Sequence, residues 1–265
     1  MITNHLRNLR LFELQRVLPR IPRGGLVLEI GAGNGWQAQK LQEMGHHVVA
    51  IDVPESTYGQ ARVYTVVLYD GCLIPLRPNG LSCVFTSNVL EHVQDLVGLG
   101  VEIGKVLSED GYAVHLMPTA SWRIWTLLTH YPHMLRLCTQ EMRRKLSPCK
   151  AHTMQSRVGS ASKKYGVLGV FRRFLMPSRH GEVGNTISEI YHFSRFRWRR
   201  FFRESGWQLV EVFPTRLFYT GYSLLDTRLS LRARHFLSYF LGSSCLVYVV
   251  RCQDSSAEST GESRL

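Results

Sequence analysis

Three glycines at alternate positions, Gly31, Gly33 and Gly35, follow directly on the run Leu26-Val27-Leu28-Glu29-Ile30. A strand ending in such a loop must turn sharply, and glycine is needed wherever a ligand approaches the backbone too closely for a Cβ. The run is apolar except for Glu29, as expected of a strand covered on both faces in a parallel sheet. A helical pattern continues through Leu41 and Met44. The loop therefore constrains this part of the chain to a strand, a ligand-bearing turn and a helix.

The strand signal recurs at 47–52, 63–70, from 81, from 112, from 208 and from 245, with helical patterns between. That alternation predicts an α/β fold, a doubly wound, mostly parallel sheet of seven strands. Residues 5–18 carry Leu6, Leu9, Phe12, Leu14 and Val17 at helical spacing, and Pro19 and Pro22 end the pattern. About ninety residues separate the fifth and sixth strands, too many for an ordinary crossover. Residues 1–119 are thus expected to form the ligand-binding core and 120–193 a basic, mostly helical insertion. Residues 194–252 complete the sheet, and the polar stretch 253–265 reads as a disordered tail.

Of the net charge of +12, all the excess lies in one segment: residues 120–203 hold seventeen Lys and Arg against three acids. Within it Trp122, Trp125, Leu127, Leu128, Met134 and Leu135, flanked by bases, suit an amphipathic helix at a membrane surface. They equally suit a helix over the active site, with aromatics on the core and arginines in solvent. Lys163, Lys164, Arg172, Arg173 and Arg179 alternate with Tyr165, Phe171 and Phe174, a pattern that fits RNA or anionic lipid headgroups. A separate RNA-binding module is not recognisable in the sequence, and RNA is the less favoured partner.

Six cysteines without a close CxxC pair read as reduced thiols. Zinc ligation by Cys138, Cys149 and His152, or by His130 and His133, lacks the paired spacings of known sites, and no metal is expected. The first 25 residues spread arginines through a helical pattern rather than forming a secretory signal, and a spanning apolar run is missing. The expectation is a cytoplasmic protein, with peripheral contact at the inner membrane surface through 120–179.

The glycine spacing is GxGxG, followed by Trp36, and not the GxGxxG of dinucleotide sites. Asp52 closes the second strand twenty-one residues after Gly31, where a carboxylate can accept ribose hydroxyls. Asp70 closes the third and precedes "GCLIPL". With "VLEIGAGNG", "AIDVPES", "YDGCLIPLRPNGLSCVF" and "SNVLEHVQD" in this order, the chain resembles the class I S-adenosylmethionine-dependent methyltransferases, in particular the small-molecule group. The likeness is close over 24–119 and looser over 191–252. The family's usual Pro-Gly-Gly turn is replaced by Glu109-Asp110-Gly111.

The resemblance implies a Rossmann-like core that binds S-adenosylmethionine and releases S-adenosylhomocysteine. Carried over by position, Gly31, Ala32, Gly33 and Gly35 would line the methionine portion, with Glu29 holding its ammonium through water or the loop backbone. Asp52 and Val53 would bind the ribose, Asp70, Gly71 and Cys72 the adenine, and the Asn88 backbone would pass the sulfonium end. His92, expected one helical turn past Asn88, is the first candidate base for a hydroxyl acceptor. Further acceptor-wall candidates are His180, Glu182, Glu189, Tyr191 and His192, ahead of a helix capped by Ser194, with Tyr191 and His192 the catalytic choices among them. A weaker similarity to glycan-modifying methyltransferases suggests a small or lipid-linked acceptor such as a sugar or acid. An RNA methyltransferase, or a non-catalytic protein that binds S-adenosylmethionine, is the alternative.

Overall fold

A computed structural model describes residues 4–56, 62–146, 177, 179–222 and 228–253. Its sheet has seven strands: β1 (Leu26–Ile30), β2 (His47–Asp52), β3 (Val66–Leu68), β4 (Leu81–Ser87), β5 (Leu107–Pro118), β6 (Trp207–Pro214) and β7 (Cys245–Cys252). Their order is β3-β2-β1-β4-β5-β7-β6. Neighbours from β3 to β5 pair in parallel, and β7 runs antiparallel to both β5 and β6. The expected mostly parallel, doubly wound sheet is therefore present. Its order reverses between β1 and β4, and a ligand of such a sheet lies beyond the carboxyl ends of the strands at that point.

Alternate residues along the central strands supply two apolar layers. Leu28, Ile30, Val84, Ala113, Met117, Tyr248 and Val250 face one side. There they meet Leu99, Ile103 and Val106 of α3 (Leu96–Val106) and Trp198 and Phe202 of α6 (Arg195–Glu204). Val27, Phe85, Val114, Leu116, Val247 and Val249 face the other. On that side lie Leu9, Leu14 and Val17 of α1 (Asn4–Val17), Leu41 of α2 (Trp36–Glu43) and Trp122 of α4 (Ala120–Leu146). Burial on both faces is why these strands read as continuous apolar runs. Two helices complete the described set, α5 (Glu189–His192) and α7 (Leu231–Leu241).

Local details depart from the sequence reading. The third strand is only three residues long, and the fifth begins at Leu107, so that Glu109, Asp110 and Gly111 lie within it. The register slips there from Leu81 opposite Leu107 to Cys83 opposite Tyr112, an irregularity that takes up the polar residues without ending the strand. After β4 the chain does not enter an α-helix directly. Asn88 has φ 55°, a single 3-10 turn covers Leu90–His92, and α3 starts only where the Asp95 side chain accepts from the Gly98 amide.

Among the described residues no helix is long and apolar enough to cross a membrane. The predicted tail beyond 253 and the cluster from Lys163 to Phe174 lie outside the described residues.

Candidate functional site

The residues singled out around the first three strands converge because β1, β2 and β3 end side by side. Gly31, Gly33 and Gly35 have φ of 74°, 59° and 79°. At Gly31 the requirement is also spatial: a Cβ would collide with Val89 Cγ2 and lie 3.1 Å from Cγ1. The amides of Gly31 and Ala32 both donate to the Ile51 carbonyl, at 2.9 and 3.1 Å, which pins the loop to β2.

Asp52 is buried at 5% exposure. Its Oδ2 accepts from the Gly33 amide at 2.8 Å and its Oδ1 from the Val53 amide at 2.9 Å. A carboxylate has about four acceptor sites, so capacity for two further donors remains. Glu29 lies behind the loop, 2% exposed, and its Oε2 has no hydrogen-bond partner among the described residues. Burial, helped by the nearby Asp52 charge, pushes its carboxyl up to about 8.

Asp70 is exposed, and its Oδ1 accepts from the amides of Cys72 and Leu73, each at 2.8 Å. These bonds, Leu73 first, hold its carboxyl below the usual range. One oxygen of this carboxylate thus closes its own turn, a local role that short acidic side chains fill readily. Gly71 packs against Val53, where a Cβ would stand 3.3 Å from Cγ1.

Beyond β4 the Asn88 amide donates to the Leu116 carbonyl at 2.8 Å. Asn88 and His92 do not share a helical face, because the left-handed Asn88 and the 3-10 turn separate them. His92 instead meets His180, with ring centroids 5.0 Å apart. Trp122 stands edge-on to His180 at 4.8 Å, with Phe193 at 6.2 Å. Partial burial, offset by Glu182 and Glu189, holds His92 below the ordinary imidazole range, so the ring is neutral at neutral pH. Beside the histidines, Glu91 is fully buried in its side chain, and burial pushes its carboxyl up to about 8.

Sequence reasoning missed Glu91, and it misjudged Arg123 and Glu189. Arg123, expected in solvent, is 2% exposed and pairs with the wholly buried Glu189 at 2.7 Å. Glu189 also accepts from the amides of His180 and Gly181, at 2.6 and 2.7 Å, so it supports the loop and does not face an acceptor. Nothing local could have revealed this pair, since its members lie sixty-six positions apart. Tyr191 is more than half exposed and touches the His192 ring; neither makes a ring contact with His92. His192 Nδ1 is buried without a partner among the described residues. Ser194 does cap α6, accepting from the Arg197 amide at 3.2 Å. His130 bonds the Tyr222 hydroxyl at 2.8 Å and His133 stacks on the same ring, while Cys149 and His152 lie outside the described residues.

The glycine turn and the strand-end acids lie together at the carboxyl ends of the strands beside the switch point of the sheet. A family model described as a methyltransferase domain matches residues 4–161. The chain belongs to a methyltransferase-domain family, and its fold is that of the S-adenosylmethionine-dependent class I methyltransferases. The methyltransferase shares its fold with an S-adenosylmethionine-dependent methyltransferase from Archaeoglobus fulgidus, at 15% identity, 92% of this chain, 93% of that one and a TM-score of 0.52. It shares it likewise with one from Mesorhizobium loti, at 15% identity, 91% and 97% coverage and a TM-score of 0.50. None of the curated proteins matches the sequence.

Membership implies S-adenosylmethionine as cofactor, and the residues of the methyltransferase fit it. Glu29, on the strand that feeds the loop, keeps a buried carboxylate oxygen without a partner among the described residues, which a donor from the cofactor's ammonium would satisfy. Asp52 retains acceptor capacity for two hydroxyls, and the loop turns without side chains in the way.

Proposed function

We propose that this methyltransferase O-methylates a small or lipid-linked acceptor such as a sugar or an acid. The observation that carries the reading is the polar wall beyond β4, where Glu91, His92 and His180 stand together beneath Trp122. In this reading Gly31, Ala32, Gly33 and Gly35 receive the methionine part of the cofactor and Glu29 its ammonium. Asp52 and Val53 hold the ribose, Asp70, Gly71 and Cys72 border the adenine, and the Asn88 backbone passes the sulfonium end.

When bound, the cofactor supplies a methyl carbon already activated by the positive sulfur. The protein then has to align the acceptor oxygen behind that carbon and keep water out, which is where most of the rate gain of a displacement arises. Trp122 and Phe193 close the apolar side of the wall. Neutral His92 offers a ring lone pair toward the acceptor's proton, and Tyr191 and His192 are proposed as further acceptor-side groups.

Support for a lipid-linked acceptor comes from exposed apolar side chains on two helices that meet at Leu241. Ile124, Leu128, Tyr131 and Leu135 are exposed along α4, and Phe236 and Phe240 along α7. The Trp125 indole and the Ser121 hydroxyl both bond the Leu241 carbonyl. Such a stripe suits peripheral contact with a lipid surface on the cytoplasmic side.

Incubation with radiolabelled S-adenosylmethionine and the lipid, RNA and small-molecule fractions of a cell extract tests the proposal. Label is expected in the lipid or small-molecule fraction. Label in RNA would replace this reading with RNA methylation, and cofactor that binds without turnover on any fraction would point to a non-catalytic protein.

A further inference from the structure

Glu91 is the residue that proton transfer to a histidine leaves unexplained. Its side chain is fully buried, and neither carboxylate oxygen has a hydrogen-bond partner among the described residues. Arg10, which acts on it electrostatically, is committed to Glu13 and the Tyr219 hydroxyl. A buried carboxyl in that position is costly to ionise unless a positive charge reaches it.

Two imidazoles lie within reach of it. One ligand atom from each of Glu91, His92 and His180 lies within 4.8 Å of the other two, and His92 Nε2 is 4.0 Å from Glu91 Oε1. Bonds of about 2.1 Å to a tetrahedral ion set donors about 3.4 Å apart, so modest rotation of the side chains closes the set. Both histidines are exposed, which leaves an ion a way in.

The surroundings hold this arrangement in place. The amides of His180 and Gly181 are fixed by Glu189, which is held in turn by Arg123. The Glu182 amide donates to the Glu91 carbonyl at 3.1 Å. Gly181 passes so near that a Cβ would sit 2.9 Å from the same carbonyl oxygen. The loop carrying His180 is thereby stapled to the turn carrying Glu91 and His92, the kind of outer support that orients metal ligands.

We propose that Glu91, His92 and His180 bind a divalent transition ion of the zinc type, with an open position for the hydroxyl oxygen of the acceptor. One carboxylate with two imidazoles is a ligand set such ions take, and three protein ligands leave a position free. This departs from the expectation of a metal-free protein. Ion binding stands alone, and only the acceptor's place rests on the proposed function. There His92 serves as a ligand and not as the base, and the ion lowers the pKa of the bound hydroxyl, whose proton leaves to water. The oxygen's electron pair then forms the bond to the methyl carbon as the carbon–sulfur pair returns to sulfur.

The test is competition for Zn2+ between the full-length, metal-stripped protein and a chromophoric chelator, with S-adenosylhomocysteine calorimetry on every sample. One equivalent of Zn2+ is expected to bind. Glu91→Gln and His180→Ala should each weaken it by more than about tenfold, while His133→Ala binds it as the parent does. Retained S-adenosylhomocysteine binding shows that a variant is folded. No Zn2+ binding by the parent, or binding equally strong in folded Glu91→Gln and His180→Ala, overturns the metal site. Methyl transfer by a protein that binds no Zn2+ would overturn it too and leave the proposed function standing, whereas loss of S-adenosylhomocysteine binding by the parent would remove that function and not the ion site.

Discussion

Replacing Gly31 with alanine separates two costs that the structure sets apart. The first belongs to the backbone: φ is 74°, and an L-residue held in the left-handed region loses about 1–2 kcal/mol. The second is steric, because the new methyl collides with Val89 Cγ2 and crowds Cγ1, and overpacking of this kind costs about 1–3 kcal/mol. Gly31→Ala should therefore destabilise by about 2–5 kcal/mol. Val89→Ala alone removes two half-buried methyls and should cost about 1 kcal/mol. In the double variant the nearest remaining atom is Val89 Cβ at 3.3 Å, a contact a small shift accommodates. Only the steric cost disappears, so the double loses about 1–3 kcal/mol less than the two singles combined. Urea unfolding of all four proteins measures the coupling. Additivity within about 0.5 kcal/mol would show that Val89 is not what excludes a side chain from the loop.

Three further outcomes follow from the geometry. Asp52→Asn puts an amide against the Gly33 and Val53 amides and weakens any acceptor for the ribose; calorimetry should show S-adenosylhomocysteine affinity falling about tenfold to a hundredfold. Arg123→Leu strands the buried Glu189 and should cost about 3–5 kcal/mol in urea unfolding, and a loss under about 1 kcal/mol would contradict the pairing. Burial pushes His115 down to about 3, below the 6.5 of an unfolded histidine. The unfolded chain therefore binds a proton that the folded one refuses, and stability present above pH 6.5 is lost as pH falls toward 3. His115→Gln should flatten that part of the stability profile, and an unchanged slope would show that His115 does not cause it.

The glycine loop, the serine cap of α6 and the alternation of strands and helices were legible because each depends on neighbours within a few positions. A both-face-buried strand is apolar along its length, and a tight turn near a ligand needs glycine, wherever the rest of the chain goes. Asp52 was legible for the same reason, since its place at a strand end follows from the strand itself. Asp70 was only half legible: its place at the end of the third strand was, yet its Oδ1 is committed to the next two amides, a competition between local and ligand bonds that spacing does not weigh.

The second half of the site was decided by packing. Arg123 and Glu189 belong to separate helices, and each looks like an ordinary surface charge until burial forces them to pair. Glu91 and His180 come together across eighty-nine positions only because Trp122, Phe193 and the Arg123–Glu189 pair set the loop against the end of β4. By itself the sequence determined the strands, their alternation with helices and the glycine loop, whose causes are local. Tertiary structure decided which charges are buried and which histidines meet a carboxylate, because those depend on long-range contacts that no periodicity records.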